Sequence, residues 1–375
     1  MEIKNGKEMK QQVKKAIAMV SKYLPMQTKL SPSAAREILQ NYSPKPIGTC
    51  RANNKVAIDY DLQIIVPCYN VEKYIRQCLD SILKQKTSYR VLVSIVNDGS
   101  TDGTADILQQ LLWEANAEKM MGGGYTVELI TQENKGLSGA RNTALQVLKG
   151  MYITFLDSDD VLADGAVQKM LDAAFGCNAE ILQGSWYTFS GEETENHIIP
   201  KEGVLNDNQG VFSGYPWGKL YKYNVMEHFK FPEGFWFEDT PLSFMIAAMP
   251  YRCAAIKDIV YGYRFNPQGI TATARKKKRA VESYWITEAC LEEFPIFSLS
   301  YDQRAYEYLL RQSLQNEGRT RHQPYRIRKA QFVLTAELME RYFAGFKTRK
   351  PAMEWVEEAL RKRQFVRFDL GTLGI

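Results

Sequence analysis

The sequence predicts an α/β fold: a Rossmann-like, mostly parallel sheet flanked by helices, with a helical N-terminal extension and a mostly helical C-terminal region. Three observations carry this. Short apolar runs alternate with amphipathic stretches from Asp61 to about Tyr187, the pattern of a parallel sheet with crossover helices. Polar, acid-rich clusters follow successive runs, where open α/β sheets bind their ligands. The 375 residues, 45% of them apolar, are enough for one large α/β domain with helical additions.

Met9, Val13, Ile17, Val20 and Leu24 recur at helical spacing with lysines opposite, and Pro25 ends the run, which predicts a basic amphipathic helix. Ser31 and Pro32 are a cap and first position for a second helix through Tyr42. Residues 43–48, rich in Pro and Gly, read as a linker. Strands are expected at Ile64 to Pro67, Val91 to Asn97, Tyr125 to Thr131, Met151 to Leu156 and Glu180 to Trp186. Helices are expected at Val71 to Gln85, Asp102 to Trp113, Ser138 to Leu148 and Asp164 to Phe175. Beyond Tyr187 the alternation gives way to loops and short elements up to about Thr273, and the remainder reads as helical. The expected division is a 1–60 extension, a 61–273 catalytic domain and a 274–375 helical region.

The net charge is only +5, but basic residues gather near both ends, from Lys4 to Lys22, at 275–279, and from Arg319 to Lys329. That distribution suits an anionic membrane surface; no nucleic-acid module accompanies it, so no nucleic acid is expected. Six cysteines form no CxxC pair and three histidines share no ligand spacing, which argues against zinc and a disulfide framework. The charged start is unlike a signal peptide and no apolar window reaches the ~18 residues of a membrane span. The expected location is cytoplasmic, with the inner face of the cell membrane as a peripheral site.

The strand ends carry the chemistry. Pro67-Cys68-Tyr69-Asn70 follows the first; Asn97-Asp98-Gly99-Ser100-Thr101-Asp102 the second; Asn134 to Asn142, with Arg141, the third; and Asp157-Ser158-Asp159-Asp160 the fourth. Carboxylates this close raise one another's proton affinity unless a cation is shared. A fifth cluster, Phe235-Trp236-Phe237-Glu238-Asp239-Thr240, sets a carboxylate pair amid aromatics.

In order, PCYN, VNDGSTDGT, NKGLSGARN, FLDSDD and FEDT resemble the inverting family 2 glycosyltransferases of GT-A fold, a family common in bacterial surface-polysaccharide synthesis. The likeness covers about Asp61 to Thr273. It implies transfer from a nucleotide-sugar, with UDP-sugars the expected donors, to a glycan or lipid-linked saccharide. It implies a Mn²⁺ or Mg²⁺ cofactor held by Asp159 and Asp157, and donor contacts from Pro67, Tyr69, Asn70, Asp98, Ser100, Asn134, Arg141, Asn142, Asp157 and Ser158. The family's general base matches Asp239, with Glu238 beside it. Trp217 and Lys219, in a WGKLY segment, resemble the acceptor side, with Trp217 a platform for a sugar face. Lacking the family's processive QxxRW motif, the chain is expected to add one sugar per encounter.

Each cluster also has a plainer reading: solvated acidic turns at strand ends, Glu238 and Asp239 as caps of a helix running to Met249, Trp217 as a core aromatic, Gly122 to Gly124 as a loop. Two rival functions stand beside transfer. Asp157-Ser158-Asp159-Asp160-Val161 fits the pattern of aspartate-nucleophile phosphatases, though their nucleophile strand comes first in the fold. A nucleotide-sugar-binding protein without catalysis is the other.

Overall fold

The structure is a computed structural model that describes residues 12, 16, 20, 27–120, 125–205, 212, 214–266, 269 and 273–374. The expected first helix, Met9 to Leu24, lies outside the described residues except at positions 12, 16 and 20. Gly122 to Gly124 lie outside them too. The chain separates into two compact units: residues 47–234 with 238–266, and residues 1–46 with 235–237 and 267–375. The N-terminal segment thus groups with the C-terminal region.

The first unit is built on one sheet. Its strands are β1 (Lys55–Cys68), β2 (Val91–Asn97), β3 (Tyr125–Thr131), β4 (Val147–Phe155), β5 (Val161–Leu162), β6 (Ile181–Ser190), β7 (Glu193–His197), β8 (Gly203–Val204), β9 (Lys219–Lys222) and β10 (Cys253–Arg264). Among the described residues the order is β3-β2-β1-β4-β9-β6-β10-β5, with β7 on β6 and β8 on β10. The first four strands are mutually parallel; β9 runs antiparallel to both β4 and β6, and β10 is parallel to β6. Every residue of β2 is buried, as expected for a parallel strand covered on both faces. Ile64 and Val66 of β1 pack with Val93 and Ile95 of β2 and with Ile75, Leu79 and Ile82 of the Ile75–Leu83 helix.

Register puts the chemistry on one rim. Cys68 pairs with Asn97, and Asn97 with Thr131, while Ile65 lies opposite Phe155. The segments after β1, β2, β3 and β4 therefore open on the same side.

The second unit is helical, with Pro32–Tyr42, Glu282–Glu293, Gln303–Thr320, Tyr325–Phe343, Glu354–Arg361 and Phe365–Gly371. Ser31 caps the first of these by accepting from the Ala34 N–H, and Pro32 opens it. The buried Glu288 carboxylate of Glu282–Glu293 is matched by Arg36 at 2.6 Å and Lys45 at 2.9 Å, the pairing a buried charge requires. Together they tie the N-terminal segment to Glu282–Glu293.

Candidate active site

The segments after β1 and β2 are laced together. Asn70, at φ 52°, donates its N–H to Ser100 Oγ and accepts from the Thr101 N–H at 2.8 Å. Thr104 Oγ1 accepts from the Val71 N–H, and Asp102 from the Glu72 and Thr104 N–H groups. Desolvation would raise the Asp102 carboxyl, but the Thr104 hydroxyl and these N–H donors together hold it below the usual carboxylate range. Gly99, at φ 72°, passes so close to the next loop that a Cβ there would sit 3.0 Å from the Asn134 nitrogen. Left-handed backbone and close approach both call for glycine.

Asp98 is buried, and its Oδ1 accepts from Gln132 Nε2 at 2.7 Å and the Lys135 N–H at 2.8 Å. That oxygen holds the loop after β3. Tyr69 and Asn134 are exposed on the rim, whereas Pro67 is buried within β1 opposite Val96. Ser158 is buried and hydrogen-bonds the Cys68 thiol, so its hydroxyl faces the interior.

The three acids after β4 have three different surroundings. Asp160 is buried and fully engaged, accepting from Tyr261 Oη at 2.7 Å and from the Arg264 N–H at 2.7 Å. Asp157 accepts from Arg141 Nη2 at 2.6 Å. Asp159 has its backbone carbonyl held by Arg264 Nε at 2.6 Å; burial and the neighbouring Asp157 charge push its carboxyl above the usual range. A guanidinium faces Asp157, whereas at Asp160 burial and then the charges of Asp157 and Asp159 keep the carboxyl well above the usual range despite its hydrogen bonds. At Asp159 burial and the Asp157 charge outweigh the Asn266 side chain and the Arg264 charge that oppose them.

Arg141 is 1% exposed. From the Gly136–Leu145 helix it reaches Asp157 with one nitrogen and Glu238 Oε1, at 2.9 Å, with the other, and its guanidinium lies 5.0 Å from the Phe231 ring centroid. Its neighbour Asn142 donates to the Phe231 carbonyl and Glu233 and accepts from the Phe231 N–H. Arg141 thus joins the segment after β4 to the segment before the Thr240–Phe244 helix, and Asn142 fixes the 231–233 loop.

Glu238 is buried against that guanidinium. Desolvation, reinforced by the adjacent Asp239 and opposed by Arg141, pushes its carboxyl up to about 7. The helix that follows is only Thr240–Phe244, and Asp239 stands at its cap position without a side-chain capping bond; capping does not account for the pair.

Trp217 is 4% exposed, stacked by Tyr215 at 4.6 Å, Tyr261 at 4.4 Å and Tyr263 at 5.5 Å. A ring so enclosed has no face for a sugar, which corrects the platform expected there. The partly exposed ring of this stack is Tyr215, 43% accessible, and no sequence pattern singled it out. Lys219 is buried on β9, donating to the Tyr215 carbonyl; burial pulls its ammonium down to about 7 against the pull of Asp239.

Residues 63–235 match the family model described as glycosyl transferase family 2. But for its last residue the match lies within the sheet unit, which is similar to a family 2 glycosyltransferase domain over those residues. Its mostly parallel sheet flanked by helices is the α/β arrangement that the sequence predicted. Among curated proteins, glycosyltransferase GlyA of Streptococcus pneumoniae serotype 4 is 31% identical over 237 residues, 59% of this chain and 33% of that protein. An uncharacterized glycosyltransferase of Bacillus subtilis, EpsJ, is 30% identical over 225 residues, 56% of this chain and 62% of its own. The chain spans less than two thirds of the length of either relative. A crystal structure of S. aureus TarS 1-349 in complex with UDP-GlcNAc is similar over 81% of this chain and 92% of that one, at 19% identity and a TM-score of 0.49.

A divalent ion suits the donor set after β4. Asp157 and Asp159 offer hard carboxylate oxygens two residues apart, and the raised proton affinity of Asp159 is what a shared cation would relieve. Among the described residues no group of three or more His, Cys, Asp or Glu is arranged to hold a metal. Two carboxylates fit an ion of the Mg²⁺ type, which takes one or two protein ligands and completes its shell from phosphates and water.

Proposed function

We propose that this chain is a metal-dependent inverting glycosyltransferase that moves one sugar per encounter from a UDP-sugar to a glycan or lipid-linked saccharide. One observation carries the reading: Arg141 ties Asp157, at the end of β4, to Glu238 of the Glu238–Asp239 pair. The acids expected at the donor and the expected base thereby share one charged cluster.

In this reading the rim formed by Tyr69, Asn70, Asp98, Ser100 and Asn134 receives the nucleoside and diphosphate. Asp159 and Asp157 would hold Mn²⁺ or Mg²⁺, which when bound neutralises charge on the diphosphate leaving group. Asp239 accepts the proton of the acceptor hydroxyl as that oxygen attacks the anomeric carbon opposite the departing diphosphate, so configuration inverts. Glu238 and Arg141 hold the backbone that presents Asp239. Lys219, drawn toward neutrality by burial, withholds part of the positive charge that would otherwise weaken Asp239 as a base. The phosphatase reading finds less support, since Arg141 already occupies Asp157, the position its nucleophile would take.

Calorimetry of UDP binding with and without Mn²⁺, on the parent and on Asp159→Ala, tests the reading. Metal-dependent binding lost in the variant is expected. Equal affinity in all four combinations would remove the metal and Asp159 from the donor site.

The exposed run Arg275, Lys276, Lys277 and Lys278 supports attachment to an anionic membrane surface. No helix among the described residues is long and apolar enough to cross a membrane.

A further inference from the structure

Within the sheet unit, the acids after β4 are gripped by the end of β10. Strand pairing sets them side by side: β5, which follows the acids, runs antiparallel to β10, with Leu162 opposite Tyr261 and Val161 opposite Gly262. Tyr261 donates its hydroxyl to Asp160 Oδ2 at 2.7 Å and accepts from the Asp157 N–H at 3.2 Å. The Arg264 N–H donates to Asp160 Oδ1 at 2.7 Å, and its Nε to the Asp159 carbonyl at 2.6 Å. The Asn266 side chain hydrogen-bonds the Asp159 carboxyl.

Arg264 is itself immobilised. Its Nη2 donates to Gln77 Oε1 at 2.7 Å, on the Ile75–Leu83 helix, and its guanidinium lies 4.5 Å from the Phe189 ring centroid and 5.1 Å from that of Tyr74. Two ring contacts and a planar fork of donors are directional as well as attractive. The Asp159 carbonyl is therefore tied through one guanidinium to β6, to β10 and to the helix after β1. The same ties restrain the carbon from which the Asp159 carboxylate extends.

We infer that Arg264 is a positioning residue for the divalent ion: through the Asp159 backbone it sets where that carboxylate stands relative to Asp157, without being a ligand. The inference rests on the proposed metal role of the two acids. Partners that orient the ligands of a metal contribute about 10- to 100-fold to its affinity. Charge alone predicts the opposite sign. A guanidinium near the site repels a cation, so a residue acting only through its charge would, once removed, leave the ion bound more tightly.

The test compares the parent with Gln77→Ala, Arg264→Lys, Arg264→Ala and Asp159→Ala, measuring thermal melting and Mn²⁺ binding at a fixed UDP concentration, the latter by electron paramagnetic resonance of the free ion. Both Arg264 variants are expected to bind Mn²⁺ about 10- to 100-fold more weakly. The lysine is included because it keeps the charge but not the planar fork. Gln77 is exposed, so Gln77→Ala should melt with the parent and still lose about 2- to 10-fold, the weight of one hydrogen bond. It keeps the test available if the Arg264 variants do not fold. Parental or tighter Mn²⁺ binding in Gln77→Ala and the Arg264 variants, beside weakened binding in Asp159→Ala, would overturn the inference alone. A loss confined to variants that melt well below the parent would also overturn it, as a purely structural effect. Mn²⁺ bound by Asp159→Ala as by the parent would instead overturn the metal role of the acids.

Discussion

Arg141 Nη1 lies 2.9 Å from Glu238 Oε1, in a pair drawn from positions 97 residues apart and almost wholly shut off from water. Burial alone would pull the arginine toward neutrality, but Asp157 and then Glu238 more than reverse this and raise its pKa. Breaking a buried pair by removing one member leaves the other charge uncompensated, at about 3–5 kcal/mol. Arg141→Ala is expected to lose stability of that order in urea titration at pH 7.5. A loss below about 1 kcal/mol would mean that water already reaches the two carboxylates.

The same pair predicts a pH dependence. Glu238 ordinarily titrates near 4.5 and is pushed up to about 7, chiefly by burial. A carboxyl raised on folding binds its proton more tightly in the native state, so its contribution is fully present below pH 4.5 and is lost as pH rises through 7. The interval corresponds to at most about 3 kcal/mol, less whatever Arg141 returns to the charged form. Glu238→Gln does not titrate, so its stability relative to the parent should improve between pH 4.5 and pH 8, read from urea midpoints at both. A variant that instead becomes relatively worse at pH 8 would show that the ion pair outweighs burial.

Trp217 and Tyr215 should separate in mutation. Truncating a buried, stacked indole costs about 3–5 kcal/mol, so Trp217→Ala is expected to melt far below the parent. Tyr215→Ala, at the accessible end of the stack, should change stability by about 1 kcal/mol or less. Differential scanning calorimetry decides it. An unchanged melting temperature in Trp217→Ala would restore the sugar-platform reading.

What the sequence disclosed follows from how local each signal is. β2 and β3 match their expected bounds, because seven-residue apolar and β-branched runs flanked by turn residues leave little choice. The Pro32–Tyr42 helix matches through its Ser31 cap and N-terminal proline. β4 begins at Val147, inside what the sequence presents as a helix tail, since Val147 and Leu148 fit either period and pairing with β1 decides. β9, four residues long and antiparallel between β4 and β6, has no local pattern. β10 was missed because its twelve residues interrupt burial at Lys257 and Asp258. The candidate site was legible as a set of motifs. The duties of Arg141, Asn142 and Ser158 were not, because a side chain's partner 89 or 97 residues away leaves no periodic trace.

The basic surface predicts salt-dependent adhesion. Arg275, Lys276, Lys277 and Lys278 are consecutive and exposed, and each basic residue near an anionic leaflet contributes about 1 kcal/mol, falling with salt. Co-sedimentation with phosphatidylserine-containing vesicles is expected at low salt and should weaken when the four are replaced by Ser. Binding indifferent to lipid charge and to salt would remove this run from the contact.

The assignment of Asp239 makes the sharpest division. Donor binding needs the nucleoside rim and the strand-end acids, whereas removing the acceptor proton matters only as the new bond forms. Asp239→Asn keeps the side chain's shape and abolishes its basicity, so UDP affinity should remain near the parental value while sugar transfer falls by roughly 10²- to 10⁴-fold, the usual size of a general-base contribution. Glu238→Gln should fall less, since its carboxylate is turned toward Arg141 and serves to hold its neighbour. Calorimetry and steady-state transfer on the same preparations separate the two effects. Parental transfer in Asp239→Asn with a large loss in Glu238→Gln would reverse the assignment within the pair, and UDP affinity lost in Asp239→Asn would place that carboxylate with the donor.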